Sequence, residues 1–250
     1  MFSSKKKFSK EFYRGIAHRG LHDKESTENG LSAFRKAIDA GIAFELDIHL
    51  TKDGRLIVCH DGNLKRTTGK DGVIEELTYE EIKKNYRLLD GEEVPSFDEV
   101  LDLNNERSLI VTELKVDDKK TDYKELGRAA KKILKRIKNK KKIVLISFDP
   151  RALLYAGHRF ERSLLVCHDQ DWTWKFHSFF ESVDLEQNMV EEPRVKKYRK
   201  HGGVVNVWTI ENENELAKVS SFVDTVTFQL FDYHKVIEDR ENYLESQKKI

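Results

Sequence analysis

Short apolar, β-branched runs alternate along the chain with longer amphipathic stretches. That is the pattern of repeated β-α units around a mostly parallel sheet. The runs predict strands over residues 15–18, 44–50, 56–60, 108–114, 143–148, 163–167, 183–186, 204–209 and 225–228. Helices are predicted over 31–40, 78–85, 97–103, 123–138, 192–200 and 212–220. The clearest is 31–40, where Leu31, Phe34 and Ile38 share one face and Gly41 follows as a cap. Nine strands overfill an eight-stranded barrel, so one of them is a hairpin arm or no strand at all. The link Thr51-Lys52-Asp53-Gly54-Arg55 is too short for a helix, so the repeat is irregular at that point.

The chain has 250 residues, three prolines and no Pro/Gly/Ser-rich linker, which favours one domain over 1–250 with its core at about 14–235. The fold class expected is α/β, a somewhat irregular TIM (β/α)8 barrel with a small insertion after the third strand, residues 75–84 belonging to it. An open doubly wound sheet is the alternative, but no GxGxxG or GxxxxGK[ST] loop is present. With 45 basic against 44 acidic residues, global charge argues against nucleic acid as a partner, and any anion recognition is local. Cys59 and Cys167 each precede a histidine without metal or redox spacing and read as buried thiols. The basic start, Ser3 to Lys7, is followed by mixed charges rather than an apolar segment. No apolar run reaches the roughly 18–20 residues of a transmembrane helix, so the chain reads as soluble and cytoplasmic.

Polar residues collect where predicted strands end. His18-Arg19-Gly20 closes the first, Glu45 and Asp47 lie on the second, His60-Asp61 closes the third and Glu113-Leu114-Lys115 the fourth. In a barrel such ends meet at one face. Glu45 and Asp47, two apart on a strand, point the same way. Alone, the pair reads equally well as part of a structural salt bridge or as ligands to one hard divalent cation, Mg²⁺ or Ca²⁺, with Glu113 as a third oxygen donor. His18 and His60 can divide the work of base and acid, while Arg19 and Lys115 add charge suited to phosphate oxygens. As a set these residues suit a phosphoryl group. The other histidines, His49 among them, read as ordinary core or surface residues.

At these residues the sequence resembles the glycerophosphodiester phosphodiesterase family of metal-dependent TIM-barrel enzymes. Ala17-His18-Arg19-Gly20 with Glu28-Asn29 matches its first element, and residues 44–48, 51–54 and 58–61 its second, continued by Arg66-Thr67-Thr68. Val94-Pro95-Ser96-Phe97, Glu113-Leu114-Lys115, Ser147-Phe148-Asp149 and Val207-Trp208-Thr209-Ile210 follow in family order. The resemblance implies that His18 and His60 are the acid/base pair, that Glu45, Asp47 and Glu113 hold a divalent metal, and that Arg19 and Lys115 contact phosphate. It also implies that Trp208 packs on substrate and that Glu28 and Asn29 line the mouth. The implied reaction is hydrolysis of a glycerophosphodiester to sn-glycerol 3-phosphate and an alcohol; some members act on lysophospholipids instead. Two departures stand out: Thr27 and Gly30 flank Glu28-Asn29, and the family's late acidic element reads Thr227-Phe228-Gln229. The rival reading is a catalytically silent barrel that binds a phosphodiester or a protein partner.

Residues 131–142 hold eight basic side chains, read as a solvated helix end in preference to a peripheral membrane contact. Trp172, Trp174, Phe176, Phe179 and Phe180 read as packing or a partner surface in preference to an acyl-binding lid over the mouth. Oligomeric state is not legible.

Overall fold

The computed structural model describes residues 8–116 and 121–248; the basic start at Ser3 to Lys7 lies outside them. Among the described residues the strands are β1 (Ile16–Ala17), β2 (Ala43–Leu50), β3 (Leu56–Val58), β4 (Ile110–Leu114), β5 (Ile143–Ser147), β6 (Glu161–Val166), β7 (Ser182–Glu186), β8 (Val204–Ile210) and β9 (Thr225–Phe228). Their spatial order is β1-β9-β8-β7-β6-β5-β4-β2-β3, and β1 also pairs with β2, Ile16 opposite Ala43. Eight parallel strands therefore close into a TIM barrel, with β3 outside the ring.

β3 is the hairpin arm, antiparallel to β2 with Ile48 opposite Val58 and Leu50 opposite Leu56. Its turn is tight because Thr51 N donates to Arg55 O at 2.8 Å and Gly54 takes φ +76°. The expectation that His60 closes a barrel strand is thus corrected. The arm runs back down from the mouth, and Cys59 N donates to Asp47 O at 3.1 Å, so His60 arrives beside the β2 carboxylates from outside the ring.

The helices are α1 (Leu31–Asp39), α2 (Lys65–Thr68), α3 (Tyr79–Asn85), α4 (Phe97–Asn104), α5 (Tyr123–Ile133), α6 (Pro150–Ala156), α7 (Pro193–Lys200), α8 (Glu213–Val219) and α9 (Tyr233–Lys248). Thr78 and Ser96 open α3 and α4 with reciprocal capping boxes. α5 stops short of the predicted end at 138, giving way to a 3₁₀ turn over Leu134–Arg136. The unpredicted α6 is brief and starts on Asp149 as cap and Pro150. The unpredicted α9 is rich in charge and weak in apolar periodicity. The insertion after β3 carries α2 and α3 over a separate core of Ile57, Leu64, Ile74 and Ile82.

Two apolar layers define the barrel. On β2, Phe44, Leu46 and Ile48 face outward into a core shared with Phe34, Ala37 and Ile38 of α1. The alternate positions face inward. Inside, Phe8, Phe12, Tyr13, Ile16, Ala43, Leu109, Val111 and Val144 plug the end where the strands begin, Phe8 stacking on Phe12 at 4.2 Å. The opposite end is left open as a mouth.

The basic run covers the last turn of α5 and the link to β5, on the plugged side. Some of its charge is paired within the fold: Arg136 with Asp98 at 3.3 Å and with Asp102, and Lys142 with Glu11. Of the aromatic run, Trp174 packs against Tyr198 and Phe180 is buried, while Trp172 and Phe179 are exposed. Cys59 is buried as expected, but Cys167, just past β6, is partly exposed.

Phe12 is 1 % exposed at the centre of the plug. Phe12→Ala is expected to cost about 3–5 kcal/mol by urea denaturation, the usual penalty for an unfilled aromatic cavity. A loss below about 1 kcal/mol would mean that the plug does not hold the barrel end.

Candidate active site

Glu45 and Asp47 reach the barrel interior because they occupy the inward parity of β2, whose outward partners are apolar. On neighbouring β4, Glu113 stands opposite Asp47 in register. Oxygens of the three carboxylates lie within 4.8 Å of one another, and all three residues are buried. Burial raises the Glu45 pKa well above its ordinary value, and repulsion from Asp47 and Glu113 raises it further. Burial acts on Asp47 in the same sense, but Lys115 and Arg19 outweigh it and hold that carboxyl below its usual range. Lys115 Nζ lies 3.1 Å from Glu113 Oε1 and 3.7 Å from Asp47 Oδ1. Asp47 Oδ1 is buried and accepts no hydrogen bond from the described residues. Three hard, converging oxygen donors, one of them unsatisfied, fit a divalent cation such as Mg²⁺ or Ca²⁺.

Arg19 follows β1 in a left-handed conformation, φ +55°, that turns its N–H onto Glu45 Oε2 at 3.0 Å. The next residue needs to be glycine: Gly20 has φ +82°, and a Cβ there would come within 2.9 Å of the Ala33 carbonyl carbon. Glu28 and Asn29 stand behind this wall rather than on it. Glu28 Oε1 accepts from Arg19 Nη1 at 2.7 Å, while both its oxygens accept from the Arg66 guanidinium at 2.8 Å. Burial would raise the Glu28 pKa, but the two arginines bring it down to about 2. Asn29 is buried and donates from Nδ2 to Asp47 Oδ2 at 2.9 Å.

The two histidines are anchored differently. His18 Nδ1 lies 2.6 Å from Gln229 Oε1, and Gln229 Nε2 donates to Glu211 Oε1 at 2.6 Å. Because a carboxylate only accepts, the amide nitrogen faces Glu211 and the amide oxygen faces His18. His18 Nδ1 is therefore the protonated nitrogen, leaving Nε2 as the lone-pair nitrogen. Burial, with Arg19 beside it, lowers the His18 pKa to about 4. His60 Nδ1 donates to Asp61 Oδ1 at 2.7 Å, and Asp61 Oδ2 accepts from Arg66 Nε at 2.7 Å. Burial lowers His60 too, while Asp47 and Asp61 oppose that shift. His49, read from sequence as ordinary, is buried with Nε2 3.1 Å from the His60 carbonyl oxygen, and so braces the backbone of His60.

His18, Arg19, Glu45, His60, Glu113 and Lys115 line one cavity of about 120 Å³ at the mouth. Trp208 lines it as well, edge-on to Phe148 with ring centroids 5.8 Å apart. The far wall holds Asp184, which the sequence patterns do not single out, and Thr227, a position of the late motif, with Asn206 behind them. None of the five clustered aromatics after β6 lines this cavity. Gln229, Asp61 and Arg66 were noted only as motif positions. The signal for Asp184 and Asn206 lies in parity, since each is a polar residue flanked by apolar outward-facing neighbours, Val183 and Leu185 for one, Val205 and Val207 for the other.

Buried Asp184 has its pKa pushed up by burial from 3.8 to about 7. The folded state then holds a proton that the unfolded chain gives up, so stability falls as pH rises through this window and not beyond it. Asp184→Asn is expected to remove that slope, gaining up to about 4 kcal/mol on wild type between pH 4 and pH 8 in parallel urea titrations. Parallel wild-type and variant curves would show that the carboxyl ionises normally.

Comparison with known proteins agrees with this geometry. The family model for the glycerophosphoryl diester phosphodiesterase family matches residues 18–237. The glycerophosphodiester phosphodiesterase of Caldanaerobacter subterraneus subsp. tengcongensis is 28% identical over 218 residues, 82% of this chain and 88% of that one. Among solved structures, the Thermotoga maritima glycerophosphodiester phosphodiesterase superposes with a TM-score of 0.71 at 26% identity, covering 92% of this chain and 96% of the other. A phosphodiesterase of Oleispira antarctica, solved with the product sn-glycerol-3-phosphate, gives a TM-score of 0.77 at 24% identity over 91% of this chain and 96% of its own. By its family match and the shared closed barrel, the chain belongs to the glycerophosphoryl diester phosphodiesterase family of enzymes.

Proposed function

We propose that the protein hydrolyses glycerophosphodiesters to sn-glycerol 3-phosphate and an alcohol, with His18 as general base and His60 as general acid. The observation that carries this reading is the unlike anchoring of two histidines on one cavity beside three converging carboxylates. His18 is tied to a neutral amide and kept unprotonated by burial, which suits it to take a proton at Nε2 from the attacking oxygen, either water directly or a glycerol hydroxyl whose cyclic phosphate water then opens. His60 is tied to a carboxylate, which favours the imidazolium and suits it to protonate the departing alkoxide. Arg19 and Lys115 line the same cavity and balance charge on the phosphate. Glu45, Asp47 and Glu113 would hold the cation, which when bound neutralises charge on a phosphate oxygen. Trp208 and Phe148 offer apolar faces to the substrate's carbon skeleton.

The test is product release from glycerophosphocholine and from lysophosphatidylcholine by purified protein treated with EDTA, then given Mg²⁺ or Ca²⁺. Restored glycerol 3-phosphate release is expected, with His18→Ala, His60→Ala and Glu45→Ala each lowering kcat by about 10²- to 10⁴-fold. Lysophosphatidic acid release at a higher kcat/KM would instead make lysophospholipids the substrate. Turnover of neither compound under any metal would leave the silent, phosphodiester-binding barrel.

The histidine assignment has its own check. Gln229→Glu places a carboxylate against His18 and raises its pKa, so protonation should inactivate the base at higher pH. The acidic limb of kcat/KM is expected to move up by about one pH unit. An unmoved acidic limb would reassign the base.

A further inference from the structure

The cavity wall facing away from the carboxylate cluster carries a polar set of its own. Asp184 on β7 stands opposite Asn206 on β8, and Thr227 on β9 completes the row. Asn206 Nδ2 donates to Asp184 Oδ1 and to Thr227 Oγ1, both at 2.8 Å, so its two amide hydrogens are spent. Asn206 Oδ1 and Trp208 Nε1 are buried without a hydrogen-bond partner among the described residues. Asn206 is the one hydrogen-bond partner found for the Asp184 side chain among the described residues. Asp184 is only 2 % exposed, yet it, Trp208 and Thr227 line the same cavity as His18 and His60.

Burying a carboxyl, an amide oxygen and an indole N–H with open hydrogen-bonding capacity is costly unless something completes them. The apolar filling at Val111, Val144 and Ile146 on β4 and β5 shows that this barrel closes its interior with hydrocarbon elsewhere. The open groups mix an acceptor, the second oxygen of Asp184, with donors, Trp208 Nε1 and the hydroxyl hydrogen of Thr227, whose oxygen accepts from Asn206. A group that both donates and accepts matches such a wall, which describes a hydroxyl better than an ammonium or a further phosphate oxygen. The arginine and lysine lie with the carboxylate cluster, so charge recognition and polyol recognition fall on separate walls.

We propose that Asp184 is a specificity-determining residue that hydrogen-bonds a free hydroxyl of the glycerol moiety, with Asn206 and Thr227 fixing its carboxyl and Trp208 Nε1 donating to the same moiety. This rests on the glycerophosphodiesterase reading above. The upward shift of the Asp184 carboxyl to about 7 agrees with it, since a half-protonated group near neutrality can both accept from and donate to a hydroxyl.

The experiment uses the full chain with the metal that restores activity, comparing wild type, Asp184→Asn and Asp184→Ala. Competitive inhibition is measured with sn-glycerol 3-phosphate and with propyl phosphate, which has the same carbon chain and phosphate but no hydroxyls. Turnover is measured on glycerophosphocholine and on bis(p-nitrophenyl) phosphate. Wild type is expected to prefer glycerol 3-phosphate to propyl phosphate, and both variants to lose about 10- to 100-fold of that preference, the usual worth of a buried hydrogen bond to a ligand. The loss of kcat/KM on glycerophosphocholine should exceed any loss on bis(p-nitrophenyl) phosphate by a similar factor. Equal losses on both members of each pair would make Asp184 merely structural, and an unchanged preference would remove it from the subsite; either overturns the proposal. Wild type that hydrolyses bis(p-nitrophenyl) phosphate but no glycerophosphodiester would instead overturn the functional reading beneath it. Thermal unfolding of the isosteric Asn variant keeps a folding defect from passing as lost recognition.

Discussion

Three carboxylates forced together inside a barrel are the constraint around which the remaining parts are arranged. Glu45, Asp47 and Glu113 cannot all ionise in a buried space without help, as the raised Glu45 pKa records. The chain gives partial relief by setting Lys115 two residues beyond Glu113 and Arg19 just past β1, within 3.1–3.7 Å of these acids. Those cations in turn need holding. Glu28 fixes Arg19, and Arg66 fixes Glu28 while also reaching Asp61, the partner of His60. A run of ion pairs thus leads from the acidic cluster to His60. Its outer members are partly exposed, so each such link is worth little by itself. Their value lies in orientation, because a carboxylate gripped from two sides holds the histidine attached to it in one rotamer.

The barrel was legible because its evidence is redundant. Each β2 position alternates between the α1-facing core and the interior, so the pairing of Glu45 with Asp47 follows from parity alone. The hairpin was legible only as a surplus strand, since period-two patterning does not distinguish a parallel stave from an antiparallel arm. The identity of Glu28 and Asn29 as supports was hidden for a different reason. Short-range sequence order places them near His18, but which side of Arg19 they occupy depends on the left-handed turns at Arg19 and Asn29. α9 escaped because its stability comes from contacts such as Val236 and fully buried Arg240, which donates to Val223 O at 3.0 Å, rather than from apolar periodicity.

Gln229 shows how one residue can be both a departure from a motif and part of the machinery. Read as a motif, Thr227-Phe228-Gln229 lacks the acid expected there. Read as chemistry, the amide sets the His18 tautomer as firmly as a carboxylate would, because Glu211 behind it removes the ambiguity of the amide flip. What it does more weakly than a carboxylate is stabilise an imidazolium, and burial outweighs it. The barrel therefore supplies one histidine with a neutral partner and the other with Asp61, and under the proposed roles that difference in partner is what would set the proton acceptor apart from the proton donor. A carboxylate on both would push the two rings toward the same protonation state, and the division of labour would then rest on burial alone.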